Sequence, residues 1–270
     1  MNKRILRDLL IMLAIFGGIW AAVALIPWNV DMPDMGFSVE NEQALGKIMV
    51  EDWMFDKGGM ELLSSPALDS GMQVINDRLL DALGPSDYDH HIWVVKKDEI
   101  NAITLPGGYI LVYSGLIAFS DSPEEVAAVI AHELGHVEER HVVRRLVKEF
   151  GLQLMFSVLT GGDAVLVGEL SRSMLSNMFN RKQEEEADAF SWKLLTEAGI
   201  DPRILATFFR KLEDKHPSGA DELELLSTHP HNRARMRATL EKSLPDGFEE
   251  QPIDVDWERM QHEIGRAYVR

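Results

Sequence analysis

His132-Glu133-Leu134-Gly135-His136 places two imidazoles four residues apart, with a carboxylate directly after the first. On a helix such positions lie about 40° apart around the axis, so both rings project from one face and can grip a single metal ion. Glu133 can then reach a water held by that ion without entering its coordination shell, which suits a general base in peptide hydrolysis. The plainer alternative is a surface helix whose histidines are merely solvated.

A metal that activates water takes three protein ligands and keeps one open position, so the pair needs a partner elsewhere. Glu138 and Glu139 are carried away from the metal face by the same helix. Val142 stands where a longer zinc word would have a third histidine, and His141, about 140° round a straight helix from His136, reads as the maker of a structural hydrogen bond. A distant carboxylate fits better. In Glu184-Glu185-Glu186-Ala187-Asp188 the first and last residues share a helix face. Glu184 could bind the metal while Asp188 accepts a hydrogen bond from the outer nitrogen of a ligand histidine. Glu185 and Glu186 read as a solvated acidic face.

The elements that must position these groups have their own signals. Ser122-Pro123-Glu124-Glu125 reads as a capping box with proline at the first helical position. Val126, Val129, Ile130, Leu134 and Val137 follow as an apolar stripe, predicting one helix from Pro123 to about Glu149. Gly135 costs that helix about 1 kcal/mol against alanine, so a substrate or another backbone should come close there. Upstream, His91 to Lys96 and Tyr109 to Tyr113 read as extended segments with Pro106-Gly107-Gly108 as a turn between them. Asn101 to Leu105 would be an edge strand, and Asn101, Ala102 and Ile103 could pair with an extended peptide through main-chain hydrogen bonds. An ordinary core hairpin is the alternative. Further helices are expected over Glu40 to Phe55, Pro66 to Leu83, Met174 to Ala198, Pro202 to Lys215 and Asn232 to Lys242.

Three blocks in this order, Asn101-Ala102-Ile103-Thr104-Leu105-Pro106-Gly107-Gly108-Tyr109-Ile110, His132-Glu133-Leu134-Gly135-His136 and Glu184-Glu185-Glu186-Ala187-Asp188, resemble the M48 family of zinc metallopeptidases, the gluzincins. The resemblance implies a mostly helical α+β, zincin-like fold whose small sheet turns its edge strand to the active-site cleft. It implies one Zn2+ per chain on His132, His136 and Glu184, catalysis by Glu133 and support from Asp188. Ser227-Thr228-His229-Pro230-His231 resembles the family's histidine-proline segment, and Arg233 or Arg235 follows where that family often has an arginine. His229 would either stabilise the oxyanion or fill the open zinc position at rest. The family also implies protein or peptide substrates, among them misfolded or damaged envelope proteins. The competing reading is a protease-derived chaperone or substrate-holding module that binds metal and cuts little.

Lys3, Arg4 and Arg7 precede residues 9–26, an uncharged stretch of 18 residues. As a helix it would span about 27 Å, near the ~30 Å hydrocarbon core. Asp31, Asp34, Glu40 and Glu42 follow, so the expectation is a single-pass transmembrane helix with its N-terminus inside and the catalytic domain on the outer face. A cleaved leader ending near Ala22-Val23-Ala24, leaving a secreted periplasmic protein, is the alternative. The chain then divides into an anchor and linker over 1–35, a peptidase domain over 36–245 and an acidic, poorly packed tail over 246–270. Phe150 to Leu170, interrupted by Gly161-Gly162-Asp163, reads as a helix, turn, helix element that touches lipid or lids the cleft. The net charge of −17 disfavours nucleic acid and anionic lipid as partners. With no cysteine, thiolate ligands and disulfides are excluded.

Overall fold

The computed structural model describes residues 37–53, 60–151, 169–170, 179–215, 225, 228–229 and 233–268, with Met12 and Gly17. The chain divides into two units, Met1–Phe37 and Ser38–Arg270, and the helices and strands of the site belong to the second. Ser38 and Ser65 start helices α1 (Val39–Glu51) and α2 (Pro66–Leu83), each side chain accepting a backbone N–H three residues on, at 3.3 Å. Strands β1 (His91–Val95), β2 (Ala102–Thr104) and β3 (Tyr109–Tyr113) follow. They form a sheet in the order β1-β3-β2, parallel between β1 and β3 and antiparallel between β3 and β2. β2 is therefore an edge strand, whereas the other edge is bridged by Leu62 against Val95. The turn between β2 and β3 is a 3-10 helix, Pro106–Gly108. Gly107 sits there at φ 76°, and a Cβ on it would lie 2.4 Å from Gln43 Cα, so α1 closes onto this turn only if the residue is glycine.

After a short helix α3 (Ser114–Phe119) comes α4 (Pro123–Glu138), which carries the paired histidines. The expected apolar stripe proves too narrow a description, because every residue from Glu125 to Val137 is buried. The sheet, α2 and the later helices surround α4, making it the central helix of the core. The expected capping box is absent. The Ser122 side chain caps nothing, and the Glu125 carboxylate reaches instead to the Asp121 N–H at 2.8 Å and to Lys211 Nζ.

A single helix to Glu149 is also corrected. The chain breaks at Arg140, φ 54°, and a separate helix α5 runs His141–Phe150. A left-handed arginine costs about 1–2 kcal/mol. It is held by the buried Glu42 of α1, which accepts from Arg140 Nε at 2.7 Å and from the Tyr88 hydroxyl at 2.8 Å. Helix α6 (Arg181–Glu197) has the capping box that α4 lacks, formed by Asn180 and Gln183. Helices α7 (Ile204–Lys215), α8 (Arg233–Glu241) and α9 (Trp257–Ala267) complete the order.

Residues 246–268 are not the loose tail expected from their acidity. Ile253, Met260 and Ile264 are buried, Met260 lies over Gly71 of α2, and the Tyr268 hydroxyl is 2.6 Å from that of Ser114. Apolar residues spaced along an acidic segment bury one face of α9 while the carboxylates stay in water.

The membrane reading is corrected as well. Among the described residues no helix is long and apolar enough to cross a membrane. Apart from Met12 and Gly17, the stretch over 9–26 and the cleavage site proposed within it lie outside the described residues. The anchor, the membrane as a partner and the outer-face location are withdrawn, together with the envelope substrates that such an anchor would bring near. The element expected over 150–170 falls almost wholly outside the described residues too.

Candidate metal centre

The helical repeat sets the spacing of His132 and His136, and burial of α4 sets what they meet. Their Nε2 atoms stand 3.2 Å apart, with exposures of 1% and 0%. Helix α6 crosses against α4 at Gly135, where a Cβ would lie 3.0 Å from Ala187 Cα. The backbone expected to approach that glycine is therefore α6, and the contact delivers Glu184 to the histidines. Glu184 Oε2 is 3.5 Å from His132 Nε2, and its Oε1 is 3.6 Å from His136 Nε2. His229 joins the same cluster, with Nδ1 3.3 Å from His132 Nε2 and 3.0 Å from Glu184 Oε1.

These four side chains offer ligand atoms all within 4.8 Å of one another. Donors bound about 2.1 Å from a tetrahedral divalent ion stand about 3.4 Å apart, and the observed separations fall around that value. Imidazole nitrogens and a carboxylate crowded at such distances need a shared proton or a cation among them. The cluster is thus a buried His/Glu site able to coordinate a divalent metal.

Outer contacts set each ring's tautomer. His132 Nδ1 lies 3.3 Å from Asp188 Oδ1. His136 Nδ1 is 2.9 Å from His141 Nδ1, and His141 Nε2 is 3.0 Å from Glu186 Oε2. If Glu186 accepts from His141 Nε2–H, the bare His141 Nδ1 accepts from His136 Nδ1–H, which leaves His136 Nε2 free to bind a metal. The break at Arg140 turns His141 back towards His136, so Glu186 is not the solvated carboxylate expected. Phe179 stacks on His136 with ring centroids 3.8 Å apart. Of the two arginines considered, Arg235 is the one at the site. It donates through Nε to Asp188 Oδ2 at 2.9 Å and through Nη2 to the Glu184 carbonyl at 3.2 Å.

Glu133 is fully buried beside the cluster. Its Oε2 accepts from the Thr104 hydroxyl at 2.6 Å, and its Oε1 lies 3.3 Å from His229 Nε2. The edge-strand residues Asn101, Ala102 and Ile103 lie next to Thr104 on the same strand segment and are themselves buried. Thr104 and Phe179 had no signal in residue order. Strand alternation does place the Thr104 side chain on the same face as Ala102, but not against Glu133.

Burial disfavours charge on His132, yet hydrogen bonds to Asp188 and Glu184 outweigh it and lift the imidazole to about 10. Burial, with His132 and His229 close by, keeps His136 well below an ordinary histidine. Burial alone would raise Glu184, but the facing His229 and His132 hold its carboxyl well below the usual carboxylate range. Near neutral pH the metal-free site therefore keeps its proton on His132 while His136 is neutral and Glu184 ionised. Loading a metal should displace the His132 proton, so affinity should rise with pH through the neutral range. Calorimetric titration in buffers of different ionisation enthalpy counts that proton. Release of none would contradict this charge assignment.

Comparison with known proteins bears on the same residues. A family model described as peptidase family M48 matches residues 66–243. Over 223 residues, 76% of this chain, it is 30% identical to the beta-barrel assembly-enhancing protease of Escherichia coli K12. Over 150 residues, 54% of the chain, it is 39% identical to the mitochondrial metalloendopeptidase OMA1 of Arabidopsis thaliana. It is 36% identical over 164 residues, again 54% of the chain, to the metalloprotease LoiP of Escherichia coli K12. The matched parts cover 45%, 30% and 62% of those three relatives, so each extends well beyond the shared region.

Proposed function

The chain belongs to peptidase family M48, and from that premise we propose that it is a zinc metalloendopeptidase, that His132, His136 and Glu184 bind the ion, and that Glu133 is the general base. Two imidazoles and one carboxylate at tetrahedral spacing, with no thiolate, are a donor set suited to catalytic zinc. Bound there, zinc supplies Lewis-acid polarisation of the scissile carbonyl and acidifies the attacking water. The observation that carries the reading is Glu133 itself, buried against the cluster with Oε1 turned towards the fourth corner.

His229 holds that corner in the resting state. Its Nδ1 lies within reach of the same ion as His132 and Glu184, which favours a resting ligand over an oxyanion donor. Once His229 withdraws, a water can take its place beside Glu133 Oε1. Glu133 accepts the water's proton and passes it to the leaving amine nitrogen. Asp188 keeps His132 oriented, and Arg235 keeps Glu184 and Asp188 in register. A substrate strand would pair with the β2 edge. Asn101 and Leu105 bond to β3, so by alternation the Ala102 carbonyl and the Thr104 amide and carbonyl face away from it.

One observation favours a second reading. All of His132, Glu133, His136, Glu184 and His229 are 2% exposed or less, a closed arrangement suited to a module that holds protein segments and seldom cuts them. Incubating the purified chain with unfolded casein separates the two. The peptidase reading expects cleavage that a chelator stops and zinc restores, with one zinc per chain. Bound zinc without chelator-sensitive cleavage would leave the holding module. His229→Ala should keep zinc and raise casein cleavage about tenfold, because the open state no longer competes with a filled corner. A fall in cleavage would restore the oxyanion role.

A further inference from the structure

We propose that Thr104 is a positioning residue that fixes the rotamer of Glu133, so that the strand on which a substrate pairs also aims the general base. The inference rests on the peptidase reading above. Thr104 is buried at 2% exposure, and its hydroxyl lies 2.6 Å from Glu133 Oε2 and 3.1 Å from the Glu133 carbonyl. A hydroxyl has one proton, and it goes to the nearer, anionic acceptor. That bond ties down Oε2 and leaves Oε1 as the oxygen that faces the fourth corner, 3.3 Å from His229 Nε2. A carboxylate with no donor in so dry a place would be free to rotate or to take a proton from elsewhere.

Threonine suits the task because a β-branched side chain is stiff about χ1, so the strand backbone dictates where the hydroxyl points. Among the described residues nothing outside β3 bonds to the Thr104 backbone, which by alternation turns its amide and carbonyl to the sheet edge, away from β3. One residue thus presents its main chain to the substrate's path and its side chain to the base. A peptide that pairs with β2 bonds to the same backbone on which the hydroxyl is mounted, so one residue links the substrate to Glu133. No proton leaves Thr104 in this role.

The test compares Thr104→Val, which keeps the shape and loses the donor, with Thr104→Ser, which keeps the donor. With the zinc-loaded chain and casein, Thr104→Val should lower kcat by about 10- to 100-fold, the cost of a misaligned group, while KM and zinc content stay within twofold. Thr104→Ser should remain within about threefold of the parent. The proposal is overturned by a Thr104→Val kcat within twofold of the parent. It is equally overturned by a Thr104→Ser loss as large as that of valine, by a change confined to KM, or by loss of zinc. A second measurement does not need turnover. The thermal shifts of Thr104→Val and Glu133→Ala in zinc-free protein should fail to add in the double variant, because each removes the same bond. If the parent itself leaves casein intact, the peptidase reading fails, and additive shifts in this cycle would dismiss the Thr104 contact on its own account.

Discussion

Glu133→Gln is expected to bind zinc as well as the parent and to lose casein cleavage by about 10²–10⁴-fold, the contribution of a general base that no other group is set to replace. Glutamine has the same shape, and its amide oxygen can still accept from the Thr104 hydroxyl that now holds Oε2 at 2.6 Å. What it lacks is basicity. His132, His136 and Glu184 are untouched by the change, so metal analysis should return the parent's stoichiometry. With His229 as the resting ligand proposed above, its Nε2, 3.3 Å from Glu133 Oε1, is not placed to act on a water that takes its position. A Glu133→Gln protein that retains more than a few per cent of the parent rate would remove the carboxylate from the mechanism.

The second large effect concerns stability and metal together. Arg235→Ala should lower stability by about 3–5 kcal/mol, because it leaves Glu184 and Asp188 without the guanidinium that compensates them. Glu184 is 0% exposed, and the Arg235 side chain is itself 8% exposed, so solvent screens this pairing little. Both acids are engaged at once, Asp188 Oδ2 at 2.5 Å and Glu184 Oε2 at 3.4 Å. For a domain of this size the loss corresponds to roughly 10 °C in Tm. Zinc affinity should fall by about 10- to 100-fold as the carboxylate ligand and its neighbour lose their orientation. Arg235→Lys should recover part of the stability but not the affinity, since an ammonium cannot bridge two carboxylates as a planar fork does. Thermal unfolding with and without zinc checks both claims. A parent-like Tm in the alanine variant would mean that water, not Arg235, satisfies these acids.

The two arginines after His229 show where residue order stops being informative. Arg233 and Arg235 are equally placed in the chain, yet Arg233 contacts Glu213 at the surface while Arg235 turns inward to Asp188. The difference lies in which face of α8 meets α6, and no local pattern encodes that. His141 teaches the same lesson in reverse. A continuous helix would carry it away from His136, but a left-handed Arg140 held by Glu42, nearly a hundred residues earlier, turns it back to 2.9 Å. The apolar stretch over 9–26 illustrates another limit. Apart from Met12 and Gly17 it lies outside the described residues, none of whose helices is long and apolar enough to cross a membrane.

Residue order alone determined what depends on a single turn of helix or a single strand. The four-residue interval brings His132 and His136 onto one face, the same interval pairs Glu184 with Asp188, and the turn at Pro106-Gly107-Gly108 delimits an edge strand. These are short-range matters of backbone geometry, and each can be worked out from a few consecutive residues. Tertiary packing decided the rest: that Glu184 comes to the histidines, where α6 presses on Gly135; that His229 lies against Glu184 and His132; and that Thr104 and Arg235 bond to Glu133 and Asp188. Those contacts join segments far apart in the chain, and they exist only because a buried polar group must find a partner wherever the packed core happens to offer one.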